Sequence, residues 1–81
     1  MRFSYVYILK SEAGSEHFYV GLTNDLRARF KKHNAGEVKA TSKFRPWRIK
    51  TAIAFTDDQQ ANQFERYLKT ASGRAFARKR L

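Results

Sequence analysis

Three tyrosines near the N-terminus place phenolic hydroxyl groups on a pattern typical of β-strands. Tyr5 and Tyr7 are two residues apart and therefore share one face of a strand. Tyr19 lies in the next apolar run and precedes Gly21, and a glycine in a strand permits close approach of a ligand or another backbone. A positioned tyrosine can take part in proton transfer. The alternative is that all three are ordinary half-buried residues of a sheet.

A second pair of reactive side chains is predicted on the first helix. Arg29 and His33 are four residues apart, so they lie on one helical face beside the apolar Leu26 and Phe30. They can therefore border the core and point at the same spot. Arginine can hold a phosphate oxygen by charge-assisted hydrogen bonds, and histidine can accept a proton. Simple solvation of a surface is the alternative.

Glu65 is the only acidic residue between Gln59 and the C-terminus. It lies one residue after Phe64 and four after Ala61, so it flanks the apolar stripe of a predicted helix. An acid in that position must be paired or must bind a cation. A salt bridge, for example to Arg29, is one interpretation. The other is a ligand of Mg²⁺, which prefers oxygen donors and often takes only one or two carboxylates.

Together these side chains are suited to phosphodiester hydrolysis. A metal ion stabilises the phosphate in the transition state, an arginine holds a phosphate oxygen, and a tyrosine or histidine accepts the proton of water. Other catalytic patterns are missing from the sequence. The four glycines form no phosphate loop, the two histidines are far apart, and no serine lies in a G-x-S-x-G motif.

The composition sets the class of protein. The chain has 81 residues, which is enough for one domain (1–81), and 42 % of them are hydrophobic, which is too many for a disordered tail. It lacks cysteine, so disulfides, cysteine-bound zinc and thiol nucleophiles are excluded. No apolar run approaches the ~18 residues of a membrane span and no secretory signal is visible, so we expect a cytoplasmic protein with no membrane partner.

A large positive charge points to a polyanionic partner. Lys and Arg number 17 and Asp and Glu only 7, which gives a formal charge of +10. Nucleic acid is the first candidate. The excess is concentrated after residue 26. Predicted contacts with nucleic acid are Arg27, Lys32, Lys39, Lys43, Arg45 and Arg74.

The first half of the chain is predicted to fold as a hairpin and a helix. Aromatic and β-branched residues indicate strands over residues 3–9 and 18–22, joined by a polar turn. The helix that follows is capped by Thr23 or Asn24, with Asp25 in its first turn. Gly36 lies just past its end, and residues 35–46 are predicted to form a basic loop.

The second half contains one strand and at least one helix. Alternation over residues 47–55 predicts a half-buried strand with Trp47, Ile49, Thr51, Ile53 and Phe55 on one face. Residues 56–59 fit a capping box with Thr56 as the cap. The helix then carries Ala61, Phe64, Leu68 and Ala71, and Ser72 with Gly73 interrupts it before a basic tail or short helix. The order β-β-α-β-α predicts a small α+β domain with a largely antiparallel sheet flanked by helices.

These motifs resemble those of the GIY-YIG nuclease superfamily, in particular its short, single-domain bacterial members. Tyr5-Val6-Tyr7 is similar to the first motif and Tyr19-Val20-Gly21 to the second. The likeness continues through the first helix, Pro46-Trp47 and the helix of Glu65, and covers nearly the whole chain. The chain departs from the family pattern at Tyr5, which replaces a glycine. It also lacks the asparagine that often follows the metal ligand.

The resemblance implies a set of catalytic residues. Tyr7 and Tyr19 take the places of the two motif tyrosines, Arg29 that of the catalytic arginine, and His33 that of a histidine found in many members. Glu65 takes the place of the glutamate that binds a single divalent ion, Mg²⁺ or Mn²⁺. The implied activity is hydrolysis of DNA. We favour Tyr7 over Tyr19 as the base, and because the ordinary tyrosine pKa is about 10, this role requires a lowered pKa or a proton relay.

Two other functions are compatible with the sequence. One is a binding module for DNA or RNA without catalysis, in which residues 37–50 with Phe44 and Trp47, and residues 74–80 with Phe76, contact phosphates and stack on bases. These three aromatics could equally be core residues. The other is an accessory subunit of a larger protein partner. For the nuclease, we expect action on nicked, branched or damaged DNA in repair or recombination, with no small-molecule cofactor.

Overall fold

The fold is an α+β domain. The computed structural model describes residues 2–14 and 16–81, and in this part of the chain three strands and three α-helices follow one another. In order they are β1 (Ser4–Ser11), β2 (Phe18–Thr23), α1 (Leu26–Asn34), a 3₁₀ helix (Lys39–Phe44), β3 (Trp47–Phe55), α2 (Asp58–Leu68) and α3 (Ala71–Arg80). The predicted β-β-α-β-α order, with a short C-terminal helix, is confirmed.

Strand β1 is the centre of an antiparallel sheet with the order β2-β1-β3. Because alternate residues of a strand point to opposite faces, β1 contributes to two separate apolar clusters. Tyr7 and Leu9 pack with Trp47 on the face that also receives Leu26 and Phe30 of α1. On the other face, Val6 and Ile8 pack with Ala61 and Leu68, the two buried residues of α2. Both faces of the sheet are therefore covered.

Strand β3 contains a bulge that the sequence pattern did not predict. Ile8 of β1 pairs with Thr51 but Leu9 pairs with Ile49, so Lys50 is an extra residue in the ladder. One extra residue shifts the alternation by one, and the prediction that Trp47, Ile49, Thr51, Ile53 and Phe55 share a face is therefore wrong. Trp47 packs on the cluster of Tyr7 and Leu9, whereas Phe55 packs on the opposite cluster.

Aspartates, rather than threonine or asparagine, cap the first two helices. The Asp25 carboxylate accepts the backbone N–H of the third residue after it, so it caps α1 in place of Thr23 or Asn24. The Asp57 carboxylate accepts the N–H groups of Gln59 and Gln60, so it caps α2 in place of Thr56. A carboxylate also interacts favourably with the positive end of the helix dipole, which an uncharged side chain does not.

Two further boundaries differ from the sequence prediction. Helix α2 ends at Leu68, and Ala71 belongs to α3, which Thr70 caps by accepting the N–H of Gly73. Gly73 therefore lies inside a helix, where a Cβ atom would overlap the carbonyl oxygen of Tyr67. Much of the predicted basic loop is the 3₁₀ helix. Among the described residues, no helix has the length and apolar character needed to cross a membrane.

Candidate active site

The phenol of Tyr7 lies over a glycine of the neighbouring strand. Tyr7 of β1 pairs directly with Gly21 of β2, and a Cβ atom at Gly21 would overlap the ring and hydroxyl of Tyr7. Tyr7 is only 1 % exposed although it lies one strand from the edge of the sheet. Gly21 therefore supplies the space in which this phenol is held.

We expect Gly21→Ala to destabilise the protein through Tyr7. The added methyl must displace the ring, and overpacking of this kind costs about 1–3 kcal/mol. In a Tyr7→Leu background the ring is absent, so the same Gly21→Ala change should cost much less. Urea unfolding of the four proteins in this double-mutant cycle measures the coupling. Equal costs in the two backgrounds would show that Gly21 does not make room for Tyr7.

A buried chain of hydrogen bonds starts at the Tyr7 hydroxyl. This hydroxyl lies 2.8 Å from Nε2 of His33, and Nδ1 of His33 lies 2.8 Å from Oγ1 of Thr41. The Thr41 hydroxyl donates its own proton to the carbonyl oxygen of Val38 at 3.3 Å. With that proton donated to Val38, the hydroxyl accepts from Nδ1 of His33, and this arrangement places the imidazole proton on Nδ1. The lone pair on Nε2 then accepts the proton of Tyr7.

Thr41 is a site residue that the sequence analysis missed. It lies in the 3₁₀ helix, is fully buried, and accepts the indole N–H of Trp47 on its carbonyl oxygen at 2.8 Å. Trp47 thus anchors the 3₁₀ helix against the sheet and holds Thr41 over His33. A lone threonine in an apparent basic loop carries no signal of such a role. Only the unforeseen 3₁₀ helix brings it to the histidine.

Replacement of the Thr41 hydroxyl should change the tautomer of His33. In Thr41→Val the side-chain shape is kept but Nδ1 loses its acceptor, which costs about 1–3 kcal/mol for a buried donor. ¹⁵N NMR of the imidazole should show a proton on Nδ1 in the wild type and a shift toward the Nε2–H form in Thr41→Val. Thr41→Ser should restore the wild-type pattern. An Nε2–H imidazole in the wild type would contradict the assignment.

Burial shifts the pKa values of Tyr7 and His33, the two titratable groups of this hydrogen-bond chain, in opposite directions. Burial raises the pKa of Tyr7, and its neighbours Tyr19 and Glu65 raise it further, while the Arg29 guanidinium acts against this rise. Burial is the main cause that lowers the pKa of His33, and the positive charge of Arg29 lowers it further. The resting pair is therefore a neutral phenol and a neutral imidazole. The pKa of Tyr7 is therefore raised and not lowered, and Nε2 of His33 lies within hydrogen-bond distance of its hydroxyl.

The lowered pKa of His33 predicts a loss of stability in mild acid. The unfolded chain binds a proton at His33 near pH 6.5, whereas the folded chain does so only at a lower pH. Below about pH 6.5 the unfolded state therefore binds more protons, and stability falls by at most about 1.4 kcal/mol per pH unit for this group. Urea unfolding over this range should show the fall. His33→Gln should show a weaker one, and an unchanged pH dependence in that variant would contradict the assignment.

Tyr19 and Arg29 lie next to the Tyr7–His33–Thr41 hydrogen-bond chain. The ring of Tyr19 lies 6.4 Å from that of Tyr7 and 5.0 Å from that of His33, measured between centroids. Both Tyr19 and Arg29 are partly exposed, unlike Tyr7 and His33. They are therefore the solvent-facing neighbours of the buried phenol and imidazole.

Glu65 of α2 lies close enough to raise the pKa of Tyr7 and forms an ion pair with Lys69 one helical turn later. The sequence analysis suggested Arg29 as a salt-bridge partner of Glu65, whereas the structure pairs Glu65 with Lys69. The side chain of Glu65 is 15 % exposed, against 54 % for Lys69, so the carboxylate can be reached from solvent. No group of three or more His, Asp and Glu residues in the described chain could hold a metal ion. The donor set therefore fits only an ion that, like Mg²⁺, takes most of its ligands from water and phosphate.

The predicted contacts with nucleic acid are all exposed and lie on three elements of the fold. They lie on α1 (Arg27 and Lys32), on or next to the 3₁₀ helix (Lys39, Lys43 and Arg45), and on α3 (Arg74). The Arg45 guanidinium packs on Gly36 and donates from Nε to the Ser42 carbonyl at 2.9 Å, so it also has a structural role. Of the aromatics considered for base stacking, Trp47 is only 3 % exposed and belongs to the core.

Comparison with known proteins defines the class. A family model described as the GIY-YIG catalytic domain matches residues 3–80, and the chain therefore belongs to the GIY-YIG family, within a superfamily of nucleases. Its relatives are UPF0213 proteins, which are short single-domain bacterial members. UPF0213 protein BH0048 of Halalkalibacterium halodurans is 38 % identical over 71 residues, which cover 86 % of this chain and 73 % of that protein.

Two further similarities agree with this assignment. UPF0213 protein YazA of Bacillus subtilis is 38 % identical over 66 residues, covering 80 % of this chain and 65 % of that protein. The solution NMR structure of UPF0213 protein BH0048 from Bacillus halodurans has a TM-score of 0.56 and 35 % identity, over 96 % of this chain and 81 % of that one. The sheet with its flanking helices is therefore a fold already seen in a relative.

Proposed function

We propose that this chain is a divalent-metal-dependent endonuclease that hydrolyses phosphodiester bonds of DNA. The observation that supports this most directly is the buried Tyr7–His33–Thr41 chain, with Arg29 and Glu65 acting on the pKa of Tyr7. A hydroxyl that is hydrogen-bonded to a proton acceptor, with a cation and a carboxylate close enough to affect its pKa, is suited to activating water next to a phosphate.

In this proposal, each residue around the Tyr7 hydroxyl has a separate role. Tyr7 accepts a proton from water while its own proton passes to Nε2 of His33, so no free phenolate has to form in the buried site. Thr41 keeps Nε2 available by holding the other imidazole proton. Arg29 holds a non-bridging oxygen of the phosphate. Tyr19 is on the same side of the sheet and is the alternative base.

Glu65 would hold the metal ion, Mg²⁺ or Mn²⁺, in this proposal. When bound, a single divalent ion would stabilise the charge that develops on the phosphate. Lys69 must release the Glu65 carboxylate before it can bind an ion, because the ion pair occupies it. Lys69 is 54 % exposed and flexible enough to turn toward a phosphate, which would replace the lost ion pair.

We also propose the finer features that the sequence suggested. The substrate would be nicked, branched or damaged DNA, encountered in repair or recombination in the cytoplasm. Contacts with the DNA backbone would come from Arg27, Lys32, Lys39, Lys43, Arg45 and Arg74. These cations lie on three elements, so a bent or branched DNA could touch more of them than a straight duplex.

The direct test is incubation of the purified protein with supercoiled plasmid and with branched DNA, in Mg²⁺, Mn²⁺ or EDTA. We expect metal-dependent nicks or cuts that EDTA suppresses. Absence of cleavage of both substrates with both metals, by folded protein, would contradict the proposal.

The second candidate function is a binding module for DNA or RNA without catalysis. The observation that favours it is the Glu65–Lys69 ion pair, which occupies the carboxylate that the nuclease proposal assigns to the metal. The two functions differ for variants at Arg29 and Glu65. A binding module should lose affinity in Arg29→Ala and keep or gain it in Glu65→Ala, whereas a nuclease should still bind DNA in both variants but fail to cut it.

A further inference from the structure

A groove next to the candidate active site has an apolar floor and a basic rim. Its volume is about 810 Å³. The floor is formed by residues of the cluster beneath α2 and α3, namely Ile8, Val20, Leu68 and Ala77. Ile8 and Val20 of this floor lie on the face of the sheet opposite Tyr7, and Tyr19 of edge strand β2 also lines the groove.

Positive charge dominates the rim of this groove. Lys50, Lys69, Arg74 and Arg78 line it, against one acid, Glu16. Among the described residues, Lys69 is the only one of the four cations in an ion pair. Lys50 is the extra residue of the β3 bulge, so the bulge itself brings this cation to the groove. The rim is thus complementary to a polyanion.

An exposed aromatic ring also lines the groove. Phe18, the first residue of edge strand β2, is 47 % exposed. The ammonium group of Lys10 lies 5.9 Å from its ring centroid and adds positive charge there. A duplex presents phosphates and sugars to such a groove and keeps its bases stacked. An apolar floor with an exposed ring instead suits unpaired bases, which have apolar faces to bury.

The groove is continuous with the candidate active site. Tyr19 lines the groove and its ring also lies 5.0 Å from that of His33. Lys69 lines it as well and pairs with Glu65. A strand that occupies the groove would therefore contact Tyr19 and lie next to the Glu65–Lys69 ion pair.

We propose that this groove binds a single-stranded segment of nucleic acid, with a base against Phe18 and phosphates on Arg74, Arg78 and Lys50. The inference rests on the proposed nuclease function and narrows its substrate to DNA with an unpaired strand beside the cut.

The test is fluorescence anisotropy with labelled single-stranded and duplex DNA of equal length, in EDTA so that no cutting occurs. Wild-type protein should prefer the single strand. Phe18→Ala should weaken single-strand binding about tenfold and leave duplex binding unchanged, since one stacked base is lost. Arg74→Gln with Arg78→Gln should reduce the salt slope of log K by about 1.4, because each phosphate contact to a single strand contributes about 0.7.

The matched control is Arg2→Gln with Lys31→Gln, which removes two exposed positive charges outside the groove. It should lower binding less and affect single strand and duplex alike. Wild-type preference for duplex, or single-strand binding unaffected by Phe18→Ala, would overturn the proposal. So would a change of oligomeric state in Phe18→Ala by analytical ultracentrifugation, which would make the groove an interface between copies.

This design separates the two proposals. Single-strand binding through the groove without cleavage in Mg²⁺ or Mn²⁺ supports the groove and contradicts the nuclease function. Metal-dependent cleavage with single-strand binding that Phe18→Ala leaves unchanged supports the nuclease function and overturns the groove.

Discussion

Glu65→Gln should abolish metal-dependent cleavage of DNA while the protein still folds and binds DNA. Glutamine keeps the shape of the side chain and removes the charge that holds a divalent ion. A metal ion contributes several kcal/mol of transition-state stabilisation, so we expect a loss of about 10³-fold in cleavage rate. The measurement is the initial rate of plasmid nicking over a range of Mg²⁺ concentrations.

DNA affinity distinguishes this result from misfolding. Glu65→Gln frees the Lys69 ammonium, which the ion pair now occupies, so affinity in EDTA should be equal to or higher than that of the wild type. The matched control is Glu12→Gln, which removes the same charge from a surface contact with Arg48 at 4.0 Å. It should cut at the wild-type rate. Cleavage by Glu65→Gln at wild-type rates would eliminate the glutamate as a metal ligand.

Part of this architecture could be predicted from sequence because it depends on local pattern. The aromatic and β-branched residues of β1, the apolar stripe of α2 and the position of Glu65 beside that stripe are properties of spacing alone. The pairing of Tyr7 with Gly21 also depends on the register of β1 and β2, which the structure supplies. Local periodicity thus identified most of the residues that line the candidate site.

The rest depends on contacts between distant segments, which spacing does not encode. Alternation in β3 suggested one apolar face. The bulge at Lys50 instead turns the two halves of β3 toward opposite faces of the sheet, and helices cover both faces. Thr41 looked like a residue of a polar loop, and only its packing under Trp47 brings it to His33. In both cases tertiary packing overrode the local pattern.

The buried imidazole changes what the two motif tyrosines can do. Tyr7 is buried and hydrogen-bonded to His33, whereas Tyr19 is partly exposed and contacts the same imidazole only through its ring. The structure therefore gives Tyr7, and not Tyr19, a direct acceptor for its proton. We therefore expect removal of the Tyr7 hydroxyl to reduce cleavage more than removal of the Tyr19 hydroxyl.

Tyr7→Phe should reduce cleavage by about 10²–10⁴-fold, the usual contribution of a positioned base. The ring remains over Gly21, so the core stays filled, but Nε2 of His33 loses its partner at a cost of about 1–3 kcal/mol of stability. The rate at saturating DNA should fall while KM stays near the wild-type value, because the hydroxyl acts in the chemical step. Single-turnover cleavage, with unfolding measured in parallel, tests both effects.

Two phenylalanine variants serve as comparisons. Tyr5→Phe removes a hydroxyl two residues before Tyr7 in β1, outside the hydrogen-bond chain. This variant should cut DNA at the wild-type rate. Tyr19→Phe should retain most activity, since its hydroxyl is not bonded to His33. If Tyr19→Phe is inactive and Tyr7→Phe active, the proton leaves water through Tyr19, and the buried Tyr7–His33–Thr41 chain serves only to hold β1, α1 and the 3₁₀ helix together.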